Sequence, residues 1–306
     1  MENLEVRLAD DLLCWERDYF STLTPALTQT PVTQPTLWII ARNWRQALKR
    51  LPRSTRGRVF VSVLGLPPRG GWFSIFRNWN PRPDLDVRLL AHTPFALRYY
   101  AEMEKVPADR VVLAELPAYL EPPSERGAGP LVVGVMSHFA SDANFGLLAS
   151  VAHYVHAKDP SIRFEVIGGG ALESHLDALL RDLGLAGVSR APGRMPEFDV
   201  LLKVDLKAEH FLPFLWCAAR GIPALTVDLP GADRYIVDNH DGFIVPMNEA
   251  KPLGELLLRF ASQPGLAPAL GAQWRQALAK RFALDRSLAA LRALFQMPQP
   301  ALQRAA

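Results

Sequence analysis

The chain has 306 residues, 49% of them hydrophobic and 21% charged, with a formal net charge of +3. That length admits two domains with separate cores, and the composition excludes a disordered or fibrous chain. Two cysteines, Cys14 and Cys217, stand far apart without metal-ligand spacing, which argues against a disulfide framework and for a reducing compartment.

The charge is unevenly spread. Residues 1–36 carry six acids against two bases, residues 42–110 fourteen bases against five acids, and Arg42–Arg58 seven bases and no acid. Such a field favours anionic partners (phospholipid, nucleotide phosphate or nucleic acid), or else it is a solvated helix face with a basic loop. Met1–Asp11 is acidic and has no apolar core of signal-peptide length. No run reaches the ~18 apolar residues of a membrane span. The expected place is the cytoplasm, with contact at the inner face of the cytoplasmic membrane allowed.

In chain order, Leu4, Leu8, Leu12, Leu13, Trp15 and Phe20 predict a helix over 3–22, followed by a Thr-, Pro- and Gln-rich loop to residue 36. Leu37–Ile40 and Val59–Leu64 read as buried strands, with a helix over Asn43–Leu51 stopped by Pro52. Trp72, Phe73, Phe76 and Trp79 lie between Gly-Gly and Pro-Arg-Pro. They form either a loop packed over the core or, beside the basic stretch, a membrane-interface or acceptor-docking loop. Asp84 and Asp86 are either a turn into the strand Val87–Ala91 or a metal-binding pair, and no His/Cys cluster supports a metal. His92 ends that strand ahead of a helix over Phe95–Lys105, and it either faces a cleft or packs locally. A strand at Val111–Leu113 follows, and Glu121–Pro130, rich in Pro, Gly and charge, reads as an interdomain linker.

The second half alternates regularly. Strands are expected at Leu131–Met136, Phe164–Ile167, Asp199–Val204, Ala224–Val227 and Phe243–Val245. Helices are expected at Asn144–Lys158, Leu172–Leu183, Phe211–Ala219, Lys251–Ser262, Pro268–Phe282 and Ser287–Phe295. Strands alternating with helices argue for a parallel sheet. Gly168, Gly169 and Gly170 directly follow a strand, either as a tight turn or as a place where backbone amides approach a ligand.

Leu212–Pro213, Ala218–Ala219, Gly221, Pro223, Gly231 and Gly242 fall on a pattern of apolar helix, Gly-x-Pro stop, strand and glycine turn. This stretch resembles the donor-binding segment of GT-B glycosyltransferases of the GT4 group, and the likeness in element order extends over roughly Pro130–Phe295. The resemblance implies an α/β, GT-B-like fold of two Rossmann-like domains facing a cleft, with a shortened N-terminal domain. It implies an acceptor-side domain over residues 1–128, a donor-side domain over 129–285, and a crossover helix and tail over 286–306.

The resemblance also implies a sugar transferase that takes a nucleotide sugar as co-substrate, needs no metal, and acts on a glycan, lipid-linked or protein acceptor in surface polysaccharide or glycoconjugate synthesis. Glu209 is the candidate for contact with the sugar, since the family's first acid falls on the adjacent Ala208 and its second, the ribose-holding acid, on Trp216. His92 is the second candidate catalytic group. Ser137, His138, Gly168, Gly169, Gly170, Trp216, Gly231 and Arg234 are the candidate nucleotide-binding residues.

The family's Arg and Lys, which stabilise the leaving diphosphate, fall on His138 and Ala143, and Arg234 stands near Gly231 as a substitute cation. The missing clamp equally supports a non-catalytic GT-B relative that serves as partner to a second glycosyltransferase chain. Peripheral membrane contact through Arg42–Arg58 and Trp72–Trp79 is compatible with either reading. Nucleic-acid binding has no supporting motif.

Overall fold

The computed structural model describes residues 2–64, 79–118, 129–139, 143–182, 187–191, 195, 197–205, 211–229 and 231–296. Its first part runs β1 (Glu2–Asn3), β2 (Glu5–Leu8), α1 (Cys14–Leu23), α2 (Pro25–Thr28), β3 (Pro31–Val32), β4 (Thr36–Ala41) and α3 (Trp44–Lys49). Then come β5 (Arg58–Val63), β6 (Asp86–Ala91), α4 (Pro94–Glu102) and β7 (Val111–Leu113). The second part holds β8 (Val132–His138), α5 (Phe145–His156), β9 (Arg163–Gly169), α6 (Glu173–Asp182), β10 (Val188–Arg190), β11 (Val200–Lys203), α7 (Leu212–Ala219), β12 (Ala224–Val227) and β13 (Phe243–Val245). The helices α8 (Ala250–Ser262), α9 (Leu266–Arg281) and α10 (Leu284–Gln296) close the chain.

The chain divides into two compact units. Unit 1 comprises residues 1–12, 17–117 and 282–306, and unit 2 comprises 13–16 and 118–281. Among the described residues no helix is long and apolar enough to cross a membrane.

Unit 1 is built on a five-stranded parallel sheet in the order β2-β4-β5-β6-β7. Its central strands are apolar on both faces because both faces are covered. Leu37, Ile39, Val59, Val61, Val87 and Leu89 pack on one face with Trp44 and Leu48 of α3 and Tyr100 of α4. On the other face Phe295 of α10 lies 5.4 Å from the Trp38 ring and 5.0 Å from Phe60, while Phe20 of α1 meets Trp38 edge-on at 6.1 Å. The Trp38 indole NH donates to Ser62 Oγ at 2.9 Å, which satisfies the polar group of each. Two helix starts follow capping chemistry. Asn43 accepts from the Gln46 amide, and Thr93, ahead of Pro94, accepts from the Ala96 amide.

The helix expected over 3–22 is corrected at its beginning. Residues 2–8 form β1 and β2, and the helix starts only at Cys14. Leu4, Val6 and Leu8 alternate with Glu5 and Arg7, a period of two that suits an edge strand. Glu5 and Arg7, on the same exposed face, pair at 2.6 Å. The stretch expected as a loop to residue 36 also contains α2 and β3.

Unit 2 carries a six-stranded parallel sheet in the order β10-β9-β8-β11-β12-β13. Chain direction across the sheet reverses between β8 and β11, the arrangement of a Rossmann-type sheet. The edge strand β10 was not foreseen, since Val188–Arg190 offers one apolar residue in three. Cys217 is fully buried in α7 beside Met136, where it packs as a small hydrophobe.

Candidate functional site

In an open parallel sheet, ligands bind outside the carboxyl ends of the strands where strand order reverses. In unit 2 that point lies between β8 and β11, whereas unit 1 has no such reversal among its described strands. The residues at the unit 2 point are polar and buried: Ser137 and His138 end β8, and Lys203 and Asp205 end or follow β11. Ser137 Oγ donates to Asp205 Oδ1 at 2.6 Å, and the Lys203 ammonium is paired with Asp205 Oδ2. A buried ammonium is retained only when a carboxylate of this kind accompanies it.

The short segment 13–16 sits at the same edge. Glu16 Oε2 accepts from the Leu13 amide at 2.7 Å, closing the first turn of α1 as a capping acid. Its other oxygen, Oε1, lies 2.6 Å from His138 Nε2, and both side chains are almost fully buried. The Trp15 ring stands 5.7 Å from the His138 ring.

The turn after β9 is a backbone surface. Gly168 (φ 154°) and Gly170 (φ 152°) occupy conformations that L side chains rarely adopt. A Cβ on Gly168 would overlap the Ser137 carbonyl oxygen, and one on Gly170 would crowd the carbonyl of Phe139. The glycines therefore let β8 and the β9 turn approach closely. Gly169 is less constrained, with only Leu13 within van der Waals reach of such a Cβ.

The remaining candidates are distributed as follows. Trp216 of α7 is buried, stacked on Phe198 at 6.2 Å and covered by the Arg220 guanidinium at 3.7 Å from its ring centroid. Gly231 (φ 88°) opens a single helical turn that contains Arg234, whose carbonyl accepts from Arg281 at 3.2 Å. Phe211 and Tyr235 stack at 4.5 Å and tie that turn to the start of α7. Glu209 lies outside the described residues, as do Trp72, Phe73 and Phe76. His92 belongs to unit 1, at the carboxyl end of β6. Its Nδ1 donates to the Ala114 carbonyl at 2.6 Å, leaving Nε2 as a buried acceptor with no hydrogen-bond partner among the described residues. Burial pulls its pKa down to about 4 against the opposing pull of that carbonyl, so the imidazole is neutral at pH 7.

Asp84 and Asp86 both answer to arginines. Asp84 is gripped by Arg82 at 2.7 and 2.8 Å, and Asp86 pairs with Arg58 and Arg110. Among the described residues no group of three His, Cys, Asp or Glu side chains is placed to hold a metal ion. Glu16, Lys203 and Asp205 were missed from sequence. A lone lysine at the end of the apolar run Val200–Leu202 was the available signal, since such a residue must find a buried acid.

No family model matches the chain. It is 20% identical over 162 residues to a poly(ribitol-phosphate) α-N-acetylglucosaminyltransferase of Staphylococcus aureus (strain COL), a match that covers 50% of this chain and 33% of that protein. The chain thus spans about a third of the curated relative it matches. Among solved structures it is similar to a variant of S. aureus TarM in complex with fondaparinux, α-GlcNAc-glycerol and UDP, with a TM-score of 0.65 at 12% identity over 85% of this chain and 55% of that one. It is also similar to WaaG, a glycosyltransferase involved in lipopolysaccharide biosynthesis, with a TM-score of 0.66 at 13% identity over 96% of this chain and all of that one. Likeness at these identities defines the fold: this is a GT-B-type chain of two Rossmann-like α/β units. Two of the proteins it resembles are named as glycosyltransferases, one of poly(ribitol-phosphate) and one involved in lipopolysaccharide biosynthesis.

Proposed function

We propose that the chain is a GT4-like glycosyltransferase that moves a sugar from a nucleotide-sugar donor to an acceptor of a surface glycoconjugate. One observation carries the reading: the strand-order reversal of unit 2 coincides with a glycine-built turn and a buried polar cluster. A nucleotide is recognised in such a crevice by backbone amides that need close approach, and Gly168 and Gly170 provide it. The S. aureus relative is a poly(ribitol-phosphate) glycosyltransferase, and TarM was crystallised with UDP. A uridine nucleotide and a polyhydroxylated or phosphodiester acceptor are accordingly the first candidates.

The chemistry requires negative charge on the departing diphosphate to be stabilised. Ser137 and His138 would border the diphosphate, with Arg234 as a substitute cation. Glu209 would touch the sugar.

A second reading rests on a specific contact. The Glu16 carboxylate holds His138 at the place where a phosphate would need positive charge. A carboxylate there repels a diphosphate unless segment 13–16 withdraws, which favours a non-catalytic partner subunit.

Calorimetric titration with UDP, GDP and their sugars separates the two. Saturable binding of one nucleotide, with slow hydrolysis of its sugar donor, is the expected result. Absence of binding by every nucleotide, at concentrations that saturate an active GT-B enzyme, would leave only the partner reading.

A further inference from the structure

The basic stretch divides into cations that are spoken for and cations that are not. Arg45 pairs with Glu104 at 2.6 Å, and Arg58 is buried against Asp86. Lys49, Arg53 and Arg56 have no carboxylate within ion-pair distance among the described residues. Together with Leu51, Arg82 and Asp84 they line a concave bowl of about 580 Å³. The bowl lies by the amino ends of β5 and β6, at the opposite end of the unit 1 sheet from His92.

The bowl is built, not a chance gathering of long side chains. Gly57 (φ 93°) cannot carry a Cβ, which would overlap the Pro35 carbonyl oxygen, so the 50–57 loop is forced close against the strand entry. Within it the Arg56 guanidinium is pinned by the carbonyls of Arg53 at 2.6 Å and Thr55 at 2.9 Å. Arg82 donates to the Leu51 carbonyl at 3.1 Å and turns its other edge to Asp84. The single acid is therefore consumed by Arg82. Arg82 first, then a backbone hydrogen bond and, last, Arg56 hold its pKa down to about 2. Three cations without an ion pair among the described residues remain around one concavity.

We propose that this bowl binds a phosphate-bearing ligand, a phosphomonoester or phosphodiester group held by Lys49, Arg53 and Arg56 at the end of unit 1 away from His92. A phosphate offers several charged oxygens in different directions, which suits three separated cations better than a carboxylate does. The apolar member of the lining, Leu51, is itself buried, so the bowl offers nothing to acyl chains. Its chemistry is that of the phosphate group, whether carried by a soluble phosphorylated glycan or by a lipid headgroup. The site is independent of the sugar-transfer reading and would stand if that reading failed.

The test is calorimetric titration of the full chain with inorganic phosphate and with glycerol 3-phosphate at constant ionic strength. Saturable binding is expected, weakened about tenfold or more in Arg53→Gln/Arg56→Gln and unchanged in the charge-matched control Lys251→Gln/Lys280→Gln. Lys49→Gln, which removes no protein hydrogen bond, serves if the double variant lacks a cooperative thermal transition, and it should weaken binding in the same direction. Non-saturating heats, or equal loss in variant and control, would overturn the site in favour of a diffuse basic field. Flotation with phosphatidylglycerol and phosphatidylcholine vesicles then identifies the source. Phosphate binding with flotation on the anionic vesicles assigns a headgroup, and phosphate binding without flotation assigns a soluble ligand. Flotation without saturable phosphate binding counts against the proposal.

Discussion

His92 is a residue whose ionisation burial has changed. Its folded pKa of about 4 lies below the ordinary value of 6.5, so between those values the unfolded chain binds the extra proton. Acid therefore favours unfolding across that window, and the contribution is fully present above pH 6.5 and lost as pH falls towards 4. Discounted for the partial exposure of the ring, the effect is about 2 kcal/mol. Urea denaturation from pH 7.5 to 4 should show wild type losing about that much more stability than His92→Gln. Parallel curves would mean that the ring is not desolvated as described. The residue type and its place at a strand end were readable from sequence. Its hydrogen bond to Ala114, which fixes Nδ1 as the donor, was not, because the partner lies beyond an intervening helix.

At the level of single elements, the β9 turn is the part most sensitive to a small change. Gly168→Ala places a methyl group against the Ser137 carbonyl in a conformation alanine avoids, a cost of about 1–3 kcal/mol or more. A lowered Tm is expected together with loss of nucleotide binding, while Gly169→Ala, which meets only the flexible end of Leu13, should leave the Tm within about 1 °C. Equal effects of the two would remove the argument that this turn is shaped by close approach. The Gly-Gly-Gly string marked the turn in advance. Which glycine is indispensable depends on the neighbouring strand β8, whose carbonyl the sequence does not position.

The whole molecule is two units, and unit 1 is discontinuous in sequence. Residues 282–306 belong to it, and Phe295 of α10 fills the face of its sheet formed by Trp38 and Phe60. Truncation after Arg281 should therefore unfold unit 1 while leaving unit 2 protected. Hydrogen exchange would show this as loss of protection in β4–β6 with retention in β8, β9 and β11. Uniform loss, or none, would contradict the division. The amino-acid order by itself determined the α/β rhythm, the parallel sheets and the strand–glycine turns, because these follow from local periodicity and turn chemistry, and the GT-B likeness rested on resemblance to a family pattern. It misjudged residues 2–8, where five alternating residues were absorbed into a longer helical count. Only the tertiary structure decided which charges are spent. Arg58 and Lys203 are buried against acids, His138 is held by a glutamate 122 residues earlier in the chain, and Lys49, Arg53 and Arg56 have no ion pair among the described residues. Charge pairing depends on distances of a few ångströms between residues remote in sequence, and no local pattern encodes those distances.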